Sequence, residues 1–286
     1  MHPPESVRIP VSTSILERTP PPAGLRLPYG PAPQQFGDLR LPDGPSPHPC
    51  VVAIHGGFWR ARYDLEHLGH CCAALTIAGI ATWNIEYRRA GDPGGGWPGT
   101  FRDVASAARH LVDIAPEHGI DPDRVIVAGH SAGGHLALWL AALRRIRRDS
   151  PIRSAPLLLR GAVSLACVPD LHEAWRLGLS DHAVGELLGG GPDDMPDRYA
   201  DASPARLLPL GVPQVLIHGV NDDTVPFAMT ESYAREARAH GDDVALVTLP
   251  NAGHFELIDP ASDQWPRVVE AIRALLHRPT TVIPSR

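Results

Sequence analysis

A serine, an aspartate and a histidine fall in this chain where loops are expected to leave buried strands, and together they could perform nucleophilic acyl chemistry. Ser131 stands in Gly129-His130-Ser131-Ala132-Gly133. Val125, Ile126, Val127 and Ala128 lead in as an apolar β-forming run, and Leu136, Ala137, Leu138, Leu140, Ala141 and Leu143 lead out at helical density. The pattern predicts a serine on a tight strand-to-helix turn, its hydroxyl standing above a sheet. Such a turn crowds the residues two before and two after the serine, which favours glycine at both. A serine hydroxyl is a poor nucleophile near neutral pH, so it requires a base to remove its proton and a carboxylate to orient that base. Asp222 and Asp223 follow the apolar run 213–219, and His254 follows the run 243–249. In a parallel sheet both loops lie at the carboxyl edge, on the side of Ser131. The order Ser131, Asp222, His254 is that of a strand-mounted serine triad.

The stretch "AIHGGFW" (53–59) supplies the complementary part. A His-Gly-Gly loop after an early strand can present backbone N–H groups to a carbonyl oxygen, and glycine lets the backbone approach closely. Gly57 and Phe58 are the candidate oxyanion donors, with Ala132 at the start of the helix after the serine. His55 is expected to brace this loop. Trp59 and Trp97 are candidate substrate-contacting residues, offering apolar surface near the nucleophile.

These motifs resemble the α/β-hydrolase superfamily, in its esterase/lipase and arylformamidase-like group, over roughly residues 35–278. The family's acid stands three residues after the glycine of "HG-x-x-D-x-x-V-P", which corresponds to Asp222. The loop is similar to the His-Gly-Gly-aromatic-Trp form of arylformamidases rather than the HGGG form of many esterases. "NIEYRRAGDPGGGWPGTFRD" resembles the Tyr-Arg … Pro … Asp stretch of the same enzymes. The resemblance implies a serine hydrolase that cleaves a carboxylic ester with a small or medium acyl group, possibly aromatic, through an acyl-enzyme and without cofactor or metal. The alternatives are an arylformamidase acting on N-formylkynurenine-type amides, a serine peptidase, and a non-catalytic binding protein on the same fold. Loss or repurposing of triad members would mark the last of these.

Competing patterns are weak. Gly94, Gly96 and Gly99 have the G-x-G-x-x-G spacing, but they begin several residues after the strand, Pro98 interrupts them, and the next strand ends in Gly129-His130 rather than an acidic residue. In "EHLGHCC" (66–72), Leu65, Leu68, Cys72 and Leu75 take the buried stripe of a helix, leaving His67 and His70 on or near the exposed side rather than as metal ligands beside Cys71. All 26 positively charged residues are arginine, which removes Schiff-base chemistry and Walker-type phosphate loops. A net charge of −6 argues against nucleic acid or an anionic membrane as partner. A small-molecule ester or amide is the expected partner, and a homodimer is compatible with this reading.

The elements that must position these groups follow from the hydrophobic pattern. Strands are expected at 35–41, 50–56, 81–87, 124–130, 161–167, 213–219 and 243–249, and helices at 64–79, 100–115, 133–147, 228–240 and 263–277. Short apolar strands alternating with helices specify an α/β fold with a mostly parallel sheet flanked by helices. Residues 171–208 contain no strand pattern and are expected to form a short cap of one or two helices. Residues 1–34 are proline-rich and expected to wrap the surface or stay mobile, the hydrolase domain spans 35–278, and 279–286 form a tail. Cys50, Cys71, Cys72 and Cys167 have no C-x-x-C spacing and read as reduced, mostly buried thiols. "MHPPESVRIP" has neither a basic start nor an apolar run, and no stretch approaches the roughly 20 apolar residues of a membrane span, so a cytoplasmic protein is expected.

Overall fold

The apolar runs assemble into one eight-stranded sheet in a computed structural model whose described residues are 14–278. The strands are β1 (Leu25–Pro28), β2 (Phe36–Arg40), β3 (His48–Ile54), β4 (Ala81–Ile85), β5 (Ile120–His130), β6 (Ala162–Leu165), β7 (Gln214–Gly219) and β8 (Val244–Leu249). Their order across the sheet is β1-β2-β4-β3-β5-β6-β7-β8. β1 and β2 run antiparallel at one edge, and every pair from β4 to β8 is parallel. The chain therefore has the α/β-hydrolase fold, with the central strands β3, β4, β6 and β7 buried on both faces.

Burial follows the strand period of two. Cys50, Val52 and Ile54 of β3 and Val125 and Val127 of β5 enter one core; Val51, Ala53, Ile126 and Ala128 enter the other. The first core is closed by α3 (Gly99–Ile114), α4 (Ala132–Ala141) and α8 (Phe227–Ala239), and the second by α2 (Gly69–Ile77) and α9 (Trp265–Leu276). A further short helix, α1 (Ser14–Glu17), buries Ile15 against the second core. All four cysteines are buried and free. Among the described residues no helix is long and apolar enough to cross a membrane.

Two expectations are corrected. β1 lies within the proline-rich start, so the sheet begins before residue 35: its four residues are mostly exposed and hold their place through backbone pairing with β2, a role that leaves no apolar alternation to read. The remaining parts of the expected start and tail, residues 1–13 and 279–286, lie outside the described residues. The cap also holds three helices rather than one or two: α5 (Leu171–Arg176), α6 (Leu179–Leu188) and α7 (Pro196–Ala202), followed by a 3-10 turn at Pro204–Arg206. α5 and α7 are six and seven residues long, too short to display a helical period, and α5 depends on Asp170, whose carboxylate accepts from the His172 and Glu173 amides at 2.9 and 3.3 Å.

The cap is tied to the body from two sides. Arg147 grips Asp201 at 2.9 and 3.0 Å, and the Trp139 indole donates to the Asp201 carbonyl at 3.2 Å. Arg60 grips Glu186 with two bonds of 2.8 Å and also donates to the Ser180 hydroxyl and carbonyl, at 2.9 and 2.7 Å. The second clamp holds a costly conformation: Ser180, Asp181 and His182 all have left-handed φ, between 47 and 57°, a region that costs a non-glycine residue roughly 1–2 kcal/mol.

Candidate active site

β5 delivers Ser131 to the carboxyl edge of the sheet, and the chain turns there without a spacer. Ser131 has φ 56° and ψ −120°, far from either the strand before it or the helix after it. The corner is closed by glycine. A Cβ on Gly129 would lie 2.1 Å from the Gly133 carbonyl oxygen, and one on Gly133 would lie 2.0 Å from that of Ile54. The Ser131 N–H donates to Leu165 at the end of β6 (2.8 Å), and its carbonyl receives the His135 N–H (3.1 Å), which starts α4. Ser131 is 2% exposed.

The loops after β7 and β8 bring Asp222 and His254 together. The His254 Nδ1 to Asp222 Oδ2 distance is 2.7 Å. The other carboxylate oxygen, Oδ1, accepts from the Thr224 and Val225 amides at 2.9 and 2.8 Å, and His218 Nε2 lies 3.1 Å from Oδ2. Burial pushes the Asp222 carboxyl up, but the hydrogen bonds from His218 and His254 and the attraction of the His254 ring outweigh it and hold the group well below the usual carboxylate range. A carboxylate only accepts, so His254 carries a proton on Nδ1, and in the neutral ring Nε2 is the basic nitrogen. Asp223 is exposed and, among the described residues, receives only the neighbouring Thr224 hydroxyl, at 3.2 Å. Of the aspartate doublet, Asp222 is the one that meets the histidine.

The 56–60 loop lies against the serine corner: a Cβ on Gly56 would fall 3.1 Å from that of Ser131. The loop is held in an unusual backbone path, with φ of 105° at Gly57, 48° at Phe58 and 57° at Trp59. A Cβ on Gly57 would meet Tyr63 at 2.5 Å. His55 braces its base. The ring lies 2.8 Å from the Gly56 carbonyl through Nδ1 and 3.1 Å from Glu86 through Nε2, and it stacks on Tyr87 at 4.4 Å.

Of the two tryptophans, Trp59 is placed differently from expectation. Trp59 is fully buried rather than presented to a substrate: its indole N–H donates to His135 Nδ1 at 3.2 Å, and His135 Nε2–H reaches the Ala202 carbonyl in the cap at 2.9 Å. The left-handed φ at Phe58 and Trp59 turns the indole into the core. Burial brings His135 down to about 4, with the Ala202 bond opposing, so the ring is neutral and links loop, α4 and cap. Trp97 is half-buried at the seam of body and cap, where its backbone N–H donates to the Leu187 carbonyl (2.7 Å) and its ring meets Phe101 at 5.6 Å.

His67, expected on or near the exposed side, is half-buried. It sits on a 3-10 turn, Leu65–Leu68, not on a regular helix, and this rotates its ring inward to the serine corner. His67 Nε2 lies 2.7 Å from His130 Nδ1, while His70 turns away to the Arg18 carbonyl at 3.1 Å. Sequence pattern assigns no role to His67, His130, His135, His218 or Glu86. A charged residue ending the buried run 81–85 was the available signal for Glu86; the histidines had none, since their partners come from distant loops.

The chain is similar to known proteins in sequence and in fold. The BD-FAE family model matches residues 38–236. Esterase LipC of Mycobacterium tuberculosis is 30% identical over 269 residues, covering 86% of this chain and 65% of the relative. Carboxylesterase NlhH of the same organism is 35% identical over 257 residues, covering 80% of this chain and 74% of the relative. The chain thus spans less than two thirds of the length of LipC. Among solved structures, a truncated carbohydrate esterase from gut microbiota superposes with a TM-score of 0.78 at 19% identity, covering 91% of this chain and 98% of that one.

Proposed function

The chain belongs to the BD-FAE family within the esterase/lipase part of the α/β-hydrolase superfamily, and from that premise we propose that it is a serine hydrolase cleaving carboxylic esters of small or medium acyl groups. One observation carries the reading: the buried Asp222 binds His254 Nδ1 at 2.7 Å and leaves Nε2 free as a base at the sheet edge that holds Ser131. Ser131 Oγ attacks the ester carbonyl while His254 Nε2 takes its proton, and Asp222 stabilises the resulting imidazolium. The Gly57, Phe58 and Ala132 amides receive the oxyanion, each donor contributing about 3 kcal/mol. The protonated His254 then gives its proton to the leaving alcohol, and water deprotonated by the same ring releases the acid. The half-buried Phe58 and Trp97 supply apolar surface for the acyl group or an aromatic leaving portion.

The His55-Gly56-Gly57-Phe58-Trp59 loop favours a second reading, hydrolysis of an aryl formamide by the same residues. Initial rates on p-nitrophenyl esters of graded chain length and on N-formylkynurenine separate the two. Turnover that favours short esters and is lost in Ser131→Ala supports the esterase. A far higher kcat/KM on the formamide moves the assignment, and a chain that is inactive on the panel and unlabelled by a fluorophosphonate is not a serine hydrolase.

A further inference from the structure

Behind the serine corner lies a second histidine chain that the proposed chemistry does not use. His130, the residue before Ser131, has both ring nitrogens engaged: Nε2 lies 2.8 Å from the His254 backbone carbonyl and Nδ1 lies 2.7 Å from His67 Nε2. The rings continue the path, His67 to His130 at 5.0 Å and His130 to His254 at 4.5 Å, with Phe255 closing over all three at 6.3, 5.8 and 4.9 Å.

The partners of the His130 and His67 ring nitrogens fix where their protons sit. A carbonyl can only accept, so His130 Nε2 must carry a hydrogen. His130 is fully buried and neutral, burial first and the neighbouring His254 and His67 next holding it well below its ordinary range. Its Nδ1 is therefore a bare acceptor. His67 Nε2 must then donate, and His67, pushed down to about 3 by burial, leaves its own Nδ1 bare. Among the described residues that last atom is buried and has no hydrogen-bond partner, so the series of bonds ends there on a bare acceptor. Gly56 permits the approach, since a Cβ there would lie 3.2 Å from His67 Nε2 and 2.8 Å from the His130 carbonyl oxygen.

We propose that His67 is a positioning residue for Ser131 and His254: its Nε2–H locks His130 in the Nε2–H tautomer, which pins the His254 backbone carbonyl and so sets the base against the serine turn. The inference rests on the proposed hydrolase reading. Without the His67 donor, His130 can carry its proton on Nδ1 instead, the bond to the His254 carbonyl is lost, and the β8 loop is free to shift. A displacement of the base approaching 1 Å is sufficient to cost a large factor in rate.

The test compares wild type, Ser131→Ala, His67→Phe and His67→Gln on p-nitrophenyl butyrate. His67→Phe should lose about tenfold in kcat with KM within about twofold. His67→Gln, which returns an N–H donor near the same point, should recover to within about threefold of wild type. Loss of turnover in Ser131→Ala establishes the hydrolase reading independently; activity that persists there overturns that reading whatever His67 does. Serine-dependent turnover with unchanged kcat in His67→Phe overturns the positioning role, as does a Gln variant as impaired as Phe. Long-range proton–nitrogen NMR of the wild-type histidines tests the tautomers even if His67→Phe does not fold. Neutral Nε2–H forms of both His67 and His130 at pH 6 are expected, and an Nδ1–H form of His130 overturns the proposal.

Discussion

At the residue scale, two adjacent aspartates of the same chemistry take opposite environments. Asp222 is enclosed by His218, His254 and two backbone amides, while Asp223 faces solvent. Asp222→Asn would supply a carboxamide to a ring that donates from Nδ1, removing the charge that favours the imidazolium and inviting the wrong tautomer. On the proposed reading a loss of about 10⁴-fold in kcat is expected for Asp222→Asn, the size of effect the same change has in serine triads. Asp223→Asn should stay within about twofold, because an exposed carboxylate bonded to one hydroxyl is screened by water. Steady-state kinetics on one ester decides the pair, and equal losses in both variants would contradict the assignment of Asp222 as the acid. Spacing from Gly219 already pointed to Asp222 through the family pattern. Which side chain turns inward is a matter of the loop's path, and the path is written in bonds to Thr224 and Val225 rather than in residue type.

At the scale of elements, His135 joins three pieces that are distant in the chain. It accepts from Trp59 in the loop, belongs to α4, and donates to Ala202 at the end of α7. Trp59→Phe preserves most of the buried ring but deletes the indole N–H, leaving His135 Nδ1 buried without a donor. The expected cost is about 1–3 kcal/mol, read as a lower midpoint of denaturant unfolding at unchanged slope. Hydrogen exchange should quicken in the 56–60 loop and in α7 together, since one ring serves both; quickening in only one of them would show that His135 does not couple the two. The strands and long helices of this region were legible because apolar residues recur at periods near 2 and 3.6. The cap helices were legible only as an insertion, since α5 and α7 are held by Asp170 and Arg147 rather than by a long amphipathic stripe.

At the scale of the whole molecule, the fold keeps several histidines neutral inside it. His135 lies near 4 and His130 well below its ordinary 6.5, in both cases because burial disfavours the cation, and His67 is brought to about 3. Unfolding returns each to about 6.5, so between that value and the folded one the unfolded chain binds more protons. Stability therefore falls as the pH falls below 6.5. His130 and His135 are fully enclosed and should each contribute up to about 1.4 kcal/mol per pH unit in that window. Asp222 acts in the same direction but lower, its contribution being lost only as the pH falls below about 3.8. Urea unfolding at pH 7.5, 6.5, 5.5 and 5.0 checks this: a flat midpoint above pH 6.5 and a decline beneath it are expected, whereas a constant midpoint down to 5.0 would show that these rings are not buried and neutral.

The sequence alone determined the layered α/β architecture, the parallel strand ends that carry Ser131, Asp222 and His254, and the glycines around the serine turn. Each of these is local: periodicity, turn sterics and chain order act over a few residues. Tertiary structure decided which aspartate faces the histidine, that Trp59 braces rather than contacts, that β1 completes the sheet edge, and that His67 turns inward to His130. These depend on hydrogen bonds between residues far apart in the chain, such as His67 to His130 and His130 to His254. A histidine looks the same in sequence whether it faces water or a carbonyl across the core, because the partner that settles its tautomer and charge arrives only when the loops close.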